Sequence, residues 1–181
     1  FAFRSEGVWG EHLALDEYLP TEIAVYGEVR LKELSDEIIR MLIYKGHDNV
    51  SDLKVDMDES LMVSLPKNAL GYILYYLYSE CLHANETVHI SVAESEQVLI
   101  LKLVLPDEVA DKLVGIEKEN QAIPVSDTDF NTYLYKWLYM YAMKVMKGNC
   151  LRKEHEVYIE LPLQQEQSVP QSQNKKTVLL L

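Results

Sequence analysis

The sequence has 181 residues, 48% of them hydrophobic, and a formal net charge of −12 at pH 7. This length and apolar content suit one domain with a substantial core, and the scattered Lys and Arg argue against a nucleic-acid face. No apolar run reaches the roughly 18 residues that cross a bilayer, and no secretory signal pattern opens the chain, so we expect a cytoplasmic protein without membrane contact.

Residues 1–28 carry weak periodicity, and we interpret them as an amino-terminal arm. The arm contains many large apolar groups, so part of it is expected to pack onto the main body or a neighbouring chain. The absence of an initial methionine before Phe1 suggests a piece of a longer polypeptide. From Val29, apolar residues at helical spacing predict a helix of about 15 residues, ended by Gly46 as a left-handed cap.

Two short strands are predicted next, over 50–57 and 61–65, and a long helix follows over 68–85 with Asn68 as its N-cap. One face of this helix is an apolar stripe that faces a core. The opposite face is unusual because it combines tyrosines with a carboxylate and an imidazole. Its members are Tyr72, Tyr76, Ser79, Glu80 and His83. Such a face lines a site, or its tyrosines are half-buried packing residues with wet hydroxyls.

The second half of the chain starts with a β-hairpin, predicted from β-branched runs over 87–93 and 98–105. Residues 106–126 are interpreted as a mobile connection with one short helical turn. A second long helix is predicted over 127–147, closed by Gly148. Its predicted core stripe is Phe130, Leu134, Trp137, Leu138, Tyr141 and Val145. The last strands are predicted at 150–151 and 156–163.

This order of elements predicts an α/β (α+β) two-layer sandwich, in which a mixed β-sheet of about five strands carries both long helices side by side on one face. The proposed domain is 29–163. Residues 164–176 form a polar linker without core residues, and 177–181 form a separate apolar strand, so neither segment is expected to belong to this domain. Cys81 and Cys150 are too few for a disulfide framework and are interpreted as small core residues of a protein in a reducing compartment.

Three segments carry a resemblance to a known family. They are VDMDESLMVSLPKNALGYILYYLYSECL before and within the first long helix, AMKVMKG at the end of the second, and VYIELPL in the last strand. Over residues 29–163 the chain resembles the ATP-binding domain of sensor histidine kinases, in the gyrase and histidine-kinase ATPase (GHKL) superfamily. The segment KKTVLLL resembles the first strand of a receiver domain, which implies a hybrid two-component sensor as the parent protein.

The resemblance also implies where a nucleotide site would be. Glu80 stands where the family has its magnesium-binding asparagine, and Tyr76 lies one turn earlier. Asp107 is the nearest match to the adenine-reading aspartate, but the glycines of that motif are missing. The glycine pair of the phosphate lid is replaced by the helical, aromatic segment 133–136. Tyr76, Glu80, His83 and Asp107 are therefore the candidate remnant of the pocket.

Three functions remain open. The first is a degenerate pseudokinase domain that transmits signals by docking a neighbouring receiver domain or another signalling protein, with a homodimer also open. The second is a divergent but active histidine kinase catalytic domain that uses ATP and magnesium. The third is a protein- or ligand-binding α/β module that uses the tyrosine-rich face. We favour the first, which predicts no catalytic residues and no cofactor.

Other histidines offer little chemistry. His12 and His47 lack the context of a phospho-acceptor histidine. Cys81, His83 and His89 lack the paired spacing of a zinc site, so no metal is expected.

Overall fold

The computed structural model describes residues 25–115 and 127–163, with the backbone alone for 127–133. Predictions for the arm before residue 25, for 116–126, for the linker and for 177–181 lie outside these ranges. The elements are β1 (Tyr26–Arg30), α1 (Leu31–Tyr44), β2 (Leu53–Asp56), β3 (Met62–Pro66), α2 (Lys67–Leu82), β4 (Val88–Ser95), β5 (Val98–Val104), α3 (Asp107–Gly115), α4 (Asp127–Val145), β6 (Asn149–Lys153) and β7 (Glu156–Pro162).

The predicted mixed sheet of five strands is confirmed, in the order β2-β4-β5-β7-β6. Strands β2 and β4 run parallel, and the other neighbours are antiparallel. The two strands predicted at 50–57 and 61–65 form, but they do not pair with each other. β3 instead pairs with β1 in a separate antiparallel ribbon, and β1 was not predicted.

Helices cover one face of the sheet, as the alternation in the hairpin predicts. Val88 and Ile90 of β4 are buried, whereas His89 and Ser91 between them are exposed. Helix α2 packs against both α1 and α4, and α3 packs on β6 and β7. None of the helices in the described ranges is long and apolar enough to cross a bilayer.

Helix α2 begins one residue earlier than predicted and ends three residues earlier. Pro66, not Asn68, is its N-cap, with an extended backbone (φ −70°, ψ 115°) and no side-chain cap hydrogen bond. The apolar stripe is buried as expected. The opposite face is also largely buried, with Tyr72 and Tyr76 among the core residues, so α2 is enclosed on nearly all sides.

Two predictions in the second half need correction. The stretch interpreted as a mobile connection contains α3, a nine-residue helix that buries Val109, Ala110 and Leu113. In α4 the core face is rotated from the predicted stripe: Trp137 and Tyr141, which were predicted to be buried, are half-buried and stack on each other. Among the residues of α4 whose side chains the structure describes, the buried ones are Leu134, Leu138, Tyr139, Ala142 and Met143. Phe130 lies among the residues described by backbone alone.

Helix ends use glycine in two different ways. Gly46 has φ of +102° and is the left-handed cap predicted for α1. After α4 the left-handed residue is instead Lys147, with φ of 57°. Gly148 is required by space, since a Cβ there would lie 2.9 Å from both Leu161 Cδ2 and Met143 Sδ.

We expect Gly148→Ala to lower the free energy of unfolding by about 1–3 kcal/mol, because the added methyl group overpacks the contact between α4 and β7. Gly71→Ala is the matched control. Its Cβ would meet only Leu34 Cδ1, at 4.0 Å, and the exchange is expected to be neutral or stabilising by up to about 1 kcal/mol. Urea unfolding of both variants checks this, and equal effects would show that the contact around Gly148 is looser than described.

Candidate functional site

The centre of the candidate site is the carboxylate of Glu80, which α2 places inside the protein with a side chain only 5% exposed. Its Oε1 lies 2.8 Å from Nζ of Lys112 and 3.8 Å from Nδ1 of His83. A buried carboxylate needs such partners, because an unpaired charge in a poorly solvated place costs several kcal/mol. Glu80 is therefore held by the ammonium group of Lys112, whose side chain is itself 46% exposed.

Tyr76 lies one helical turn before Glu80 and closes the site from the same helix. Burial raises the pKa of its hydroxyl, and the negative charge of Glu80 raises it further. Its ring stacks on Tyr139 of α4, with centroids 4.8 Å apart, and Tyr75 stacks on Tyr135 at 4.7 Å. These two aromatic pairs join α2 to α4, and one of them uses Tyr76 of the face that the sequence marked as unusual.

The cation arrives from a part of the chain that the sequence did not connect with this site. Helix α3 is anchored by its three buried residues, and this anchoring directs Lys112 towards α2. Lys136 of α4 lies close enough to feel the same charges. Burial lowers the pKa of Lys136, as does the positive charge of Lys112, while the charge of Glu80 acts in the opposite direction.

The structure therefore brings Tyr76, Glu80 and His83 together and gives Asp107 other partners. The Asp107 carboxylate accepts hydrogen bonds from Arg152 at 2.9 Å and lies 3.1 Å from Nδ1 of His155. Arg152 also pairs with Asp111. This exposed network ties α3 to the β6–β7 hairpin. Lys112 is the residue of the site that sequence reasoning missed.

Among the described residues no group of three His, Cys, Asp or Glu could hold a metal ion. Cys81 is buried in the core, and burial raises its pKa to about 12, so the thiol stays protonated and inert at neutral pH. Cys150 is half-buried in β6.

The buried tyrosines of α2 limit the stability of the fold in alkaline solution. Burial raises the pKa of Tyr75 and of Tyr78 to about 12, and it raises the pKa of Tyr76 as well, from the usual 10.0. A raised pKa in the folded state stabilises the fold fully below the unfolded pKa, and this stabilisation is lost as the pH rises through the folded pKa.

We therefore expect the free energy of unfolding to fall steeply between pH 10 and about 12, the range set by the usual and raised pKa values. The measurement is urea unfolding across this range, with phenolate absorbance followed in parallel. Tyr75→Phe should make the fall shallower, whereas Tyr44→Phe, whose side chain is exposed, should not. A fall of equal steepness in the Tyr75 variant would contradict the assignment.

Comparison with known proteins gives no match in sequence but several in structure. No family model and no curated protein matches the chain. The nucleotide-free catalytic domain of histidine kinase ThkA superposes with a TM-score of 0.51 and 15% identity, covering 76% of this chain and 95% of that domain. Histidine kinase AdeS of Acinetobacter baumannii gives 0.55 and 14%, covering 86% and 79%. The mycobacterial sensor histidine kinase MprB gives 0.50 and 13%, covering 77% and 98%.

At these identities the similarity establishes the fold alone. The chain has the α/β sandwich of histidine kinase ATP-binding domains, as the sequence resemblance predicts. The contacts of Glu80, Tyr76 and Lys112 described above are read from this chain and are not transferred from those proteins.

Proposed function

We propose that this chain is a histidine-kinase-type ATP-binding domain whose nucleotide site has been closed by its own side chains, and that it works as a pseudokinase module. The observation that carries the proposal is the ion pair between Glu80 and Lys112. The resemblance puts the magnesium ligand at position 80. Here that carboxylate is buried and already neutralised by an ammonium group, so a metal ion would have to displace Lys112 first.

The stack of Tyr76 on Tyr139, where α2 and α4 meet, also supports a closed site, because it places two aromatic rings next to the helix that carries Glu80. Backbone amides converge on phosphate most easily through glycine. The region that corresponds to the phosphate lid, residues 133–136, lies within α4, and β5 leads through Pro106 into α3 without a glycine.

A divergent ATP-binding domain is the second candidate. The same pair favours it in one respect, because a carboxylate for magnesium and an ammonium for phosphate are both present if Lys112 swings away from Glu80. Lys112 is 46% exposed, so its ammonium group already reaches solvent. The third candidate, a module that binds ligands on the tyrosine-rich face, has less support because α4 covers the rings of Tyr75 and Tyr76.

The signalling role follows from the proposed parent protein. In a hybrid sensor, a domain without nucleotide would act by docking, with a receiver domain or another signalling protein as its partner. A second copy of the chain, in a homodimer, is the alternative partner.

We expect titration calorimetry to detect no saturable heat when millimolar ATP with magnesium is added to the chain. The physical reason is that binding must break the Glu80–Lys112 pair and separate the Tyr76–Tyr139 stack before any new contact forms. Titration of magnesium alone is the control for cation binding.

The opposite result is equally well defined. Micromolar affinity for MgATP that disappears in Glu80→Ala would support the divergent ATP-binding domain. Glu33→Ala is the matched control for that variant, because Glu33 is an exposed carboxylate on α1. Loss of affinity in both variants would indicate a general charge effect and not a site.

A further inference from the structure

A second feature of the domain lies at the carboxyl-terminal end of α4, where the chain enters β6. Within the described residues, β6 is the last strand of the sheet and pairs only with β7. Its outer edge therefore presents backbone N–H and C=O groups without a strand partner. Such an edge is a template on which an extended peptide can add as a further strand.

A groove runs beside this edge, between β6 and the carboxyl-terminal half of α4. Its volume is about 330 Å³, which is in the lower range of ligand pockets in proteins. The lining residues are Tyr139, Met140, Met143, Lys144, Lys147, Gly148 and Cys150. We call this feature the α4–β6 groove. Methionine side chains adapt their shape to different apolar groups, so a groove lined by Met140 and Met143 accepts several kinds of side chain.

The charge of the groove is opposite to that of the protein. Lys144 and Lys147 are exposed, and none of the described residues that line the groove is acidic. The chain as a whole carries −12. At the end of α4 the Gly148 amide bonds to the Met143 carbonyl at 2.7 Å and the Lys147 amide to the Lys144 carbonyl at 3.1 Å. The exposed lysines Lys144 and Lys147 beside these turns are the groups of the groove that would attract an acidic ligand.

We propose that the α4–β6 groove is a docking site for an extended, acidic segment of a partner protein, which adds to β6 as a strand. Alternate apolar side chains of the segment contact Met140 and Met143, and its carboxylates pair with Lys144 and Lys147. Strand addition supplies affinity through the main chain, and the groove supplies selectivity through side chains. The proposal gives the docking role suggested above a place and a partner chemistry, but it does not depend on whether nucleotide binds.

The test uses the full chain and a fluorescein-labelled hexapeptide of alternating glutamate and leucine, followed by fluorescence polarisation. We expect saturable binding in spite of the negative charge of the protein. A peptide with glutamine in place of glutamate should bind more weakly. Methylation of every second backbone nitrogen should abolish binding, because strand addition needs those donors. Amide signals from Asn149 to Lys153 should shift in NMR spectra during the titration.

Charge reversal locates the site. Lys144→Glu combined with Lys147→Glu is expected to weaken binding at least about tenfold, which corresponds to about 1.4 kcal/mol. Lys45→Glu, on an exposed lysine that follows α1, is the matched control and should leave the affinity unchanged. Binding should also weaken with added salt, a measurement that needs no variant.

Three results would overturn the proposal: no saturable binding of the acidic peptide, equal binding of its N-methylated form, or equal loss in the Lys45 variant. If a second copy of this chain, or other residues of the same chain, occupied the groove, the acidic peptide would show no saturable binding. None of these three results changes what calorimetry with MgATP would show. Failure of the docking proposal is therefore distinguishable from failure of the pseudokinase proposal.

Discussion

Replacing Lys112 with methionine is expected to lower the free energy of unfolding by about 2–3 kcal/mol, because it leaves the buried Glu80 carboxylate without its cation. Loss of one partner of a fully buried pair costs about 3–5 kcal/mol. The value expected here is smaller because Lys112 is 46% exposed, so water reaches the site that its ammonium group vacates. Methionine keeps most of the aliphatic length and isolates the effect of charge.

Lys32→Met is the matched control for this variant. Lys32 Nζ and Asp36 Oδ1 are also 2.8 Å apart, but their side chains are 37% and 44% exposed. Surface pairs of this kind contribute about 0–1 kcal/mol, so the two variants compare equal distances at unequal burial. The double variant Glu80→Gln with Lys112→Met should recover much of the loss. Equal effects of Lys112→Met and Lys32→Met would mean that the Glu80 pair is open in solution.

Truncating Tyr76 to alanine is expected to cost about 3–5 kcal/mol, since it removes a buried ring from the contact between α2 and α4 and leaves a cavity. Tyr76→Phe keeps the stack on Tyr139 and loses only the hydroxyl group, so a smaller cost of about 1–2 kcal/mol is expected. Tyr44→Ala, at a side chain 89% exposed, should change stability by less than about 0.5 kcal/mol.

Chemical denaturation gives the free energy of unfolding of all three tyrosine variants. A small effect of Tyr76→Ala would contradict the closed site directly, because it would mean that the ring is not packed between the helices. The alanine variant also tests function if it remains folded. Gain of MgATP binding in this variant alone would show that the ring is what excludes the nucleotide.

The sequence was sufficient to predict the sheet, the long helices and the buried face of the hairpin. These features depend on local periodicity, as in the alternation of Val88, His89 and Ile90, and local patterns survive folding. The strand β1 was missed because only Val29 of its five residues is buried. Its place depends on pairing with β3, which is not visible in a five-residue segment.

The candidate site was predicted only in part. Tyr76, Glu80 and His83 share one helical face, so their proximity follows from spacing alone. Lys112 was missed because a tertiary contact places it there, and because its helix had been interpreted as a connection. The rotation of α4 has a similar cause: tyrosines can serve in a core or at its border, and the stacks on Tyr75 and Tyr76 decide which face is buried.

The most direct test of the closed site is an NMR titration of the labelled chain with MgATP, because it reports the response of each residue separately. At millimolar nucleotide, the account predicts no saturable shift of the amides of Tyr76, Glu80 and Lys112. Saturable shifts of these three amides, lost when Glu80 is replaced by alanine, would contradict the account and assign the chain to the divergent ATP-binding domains.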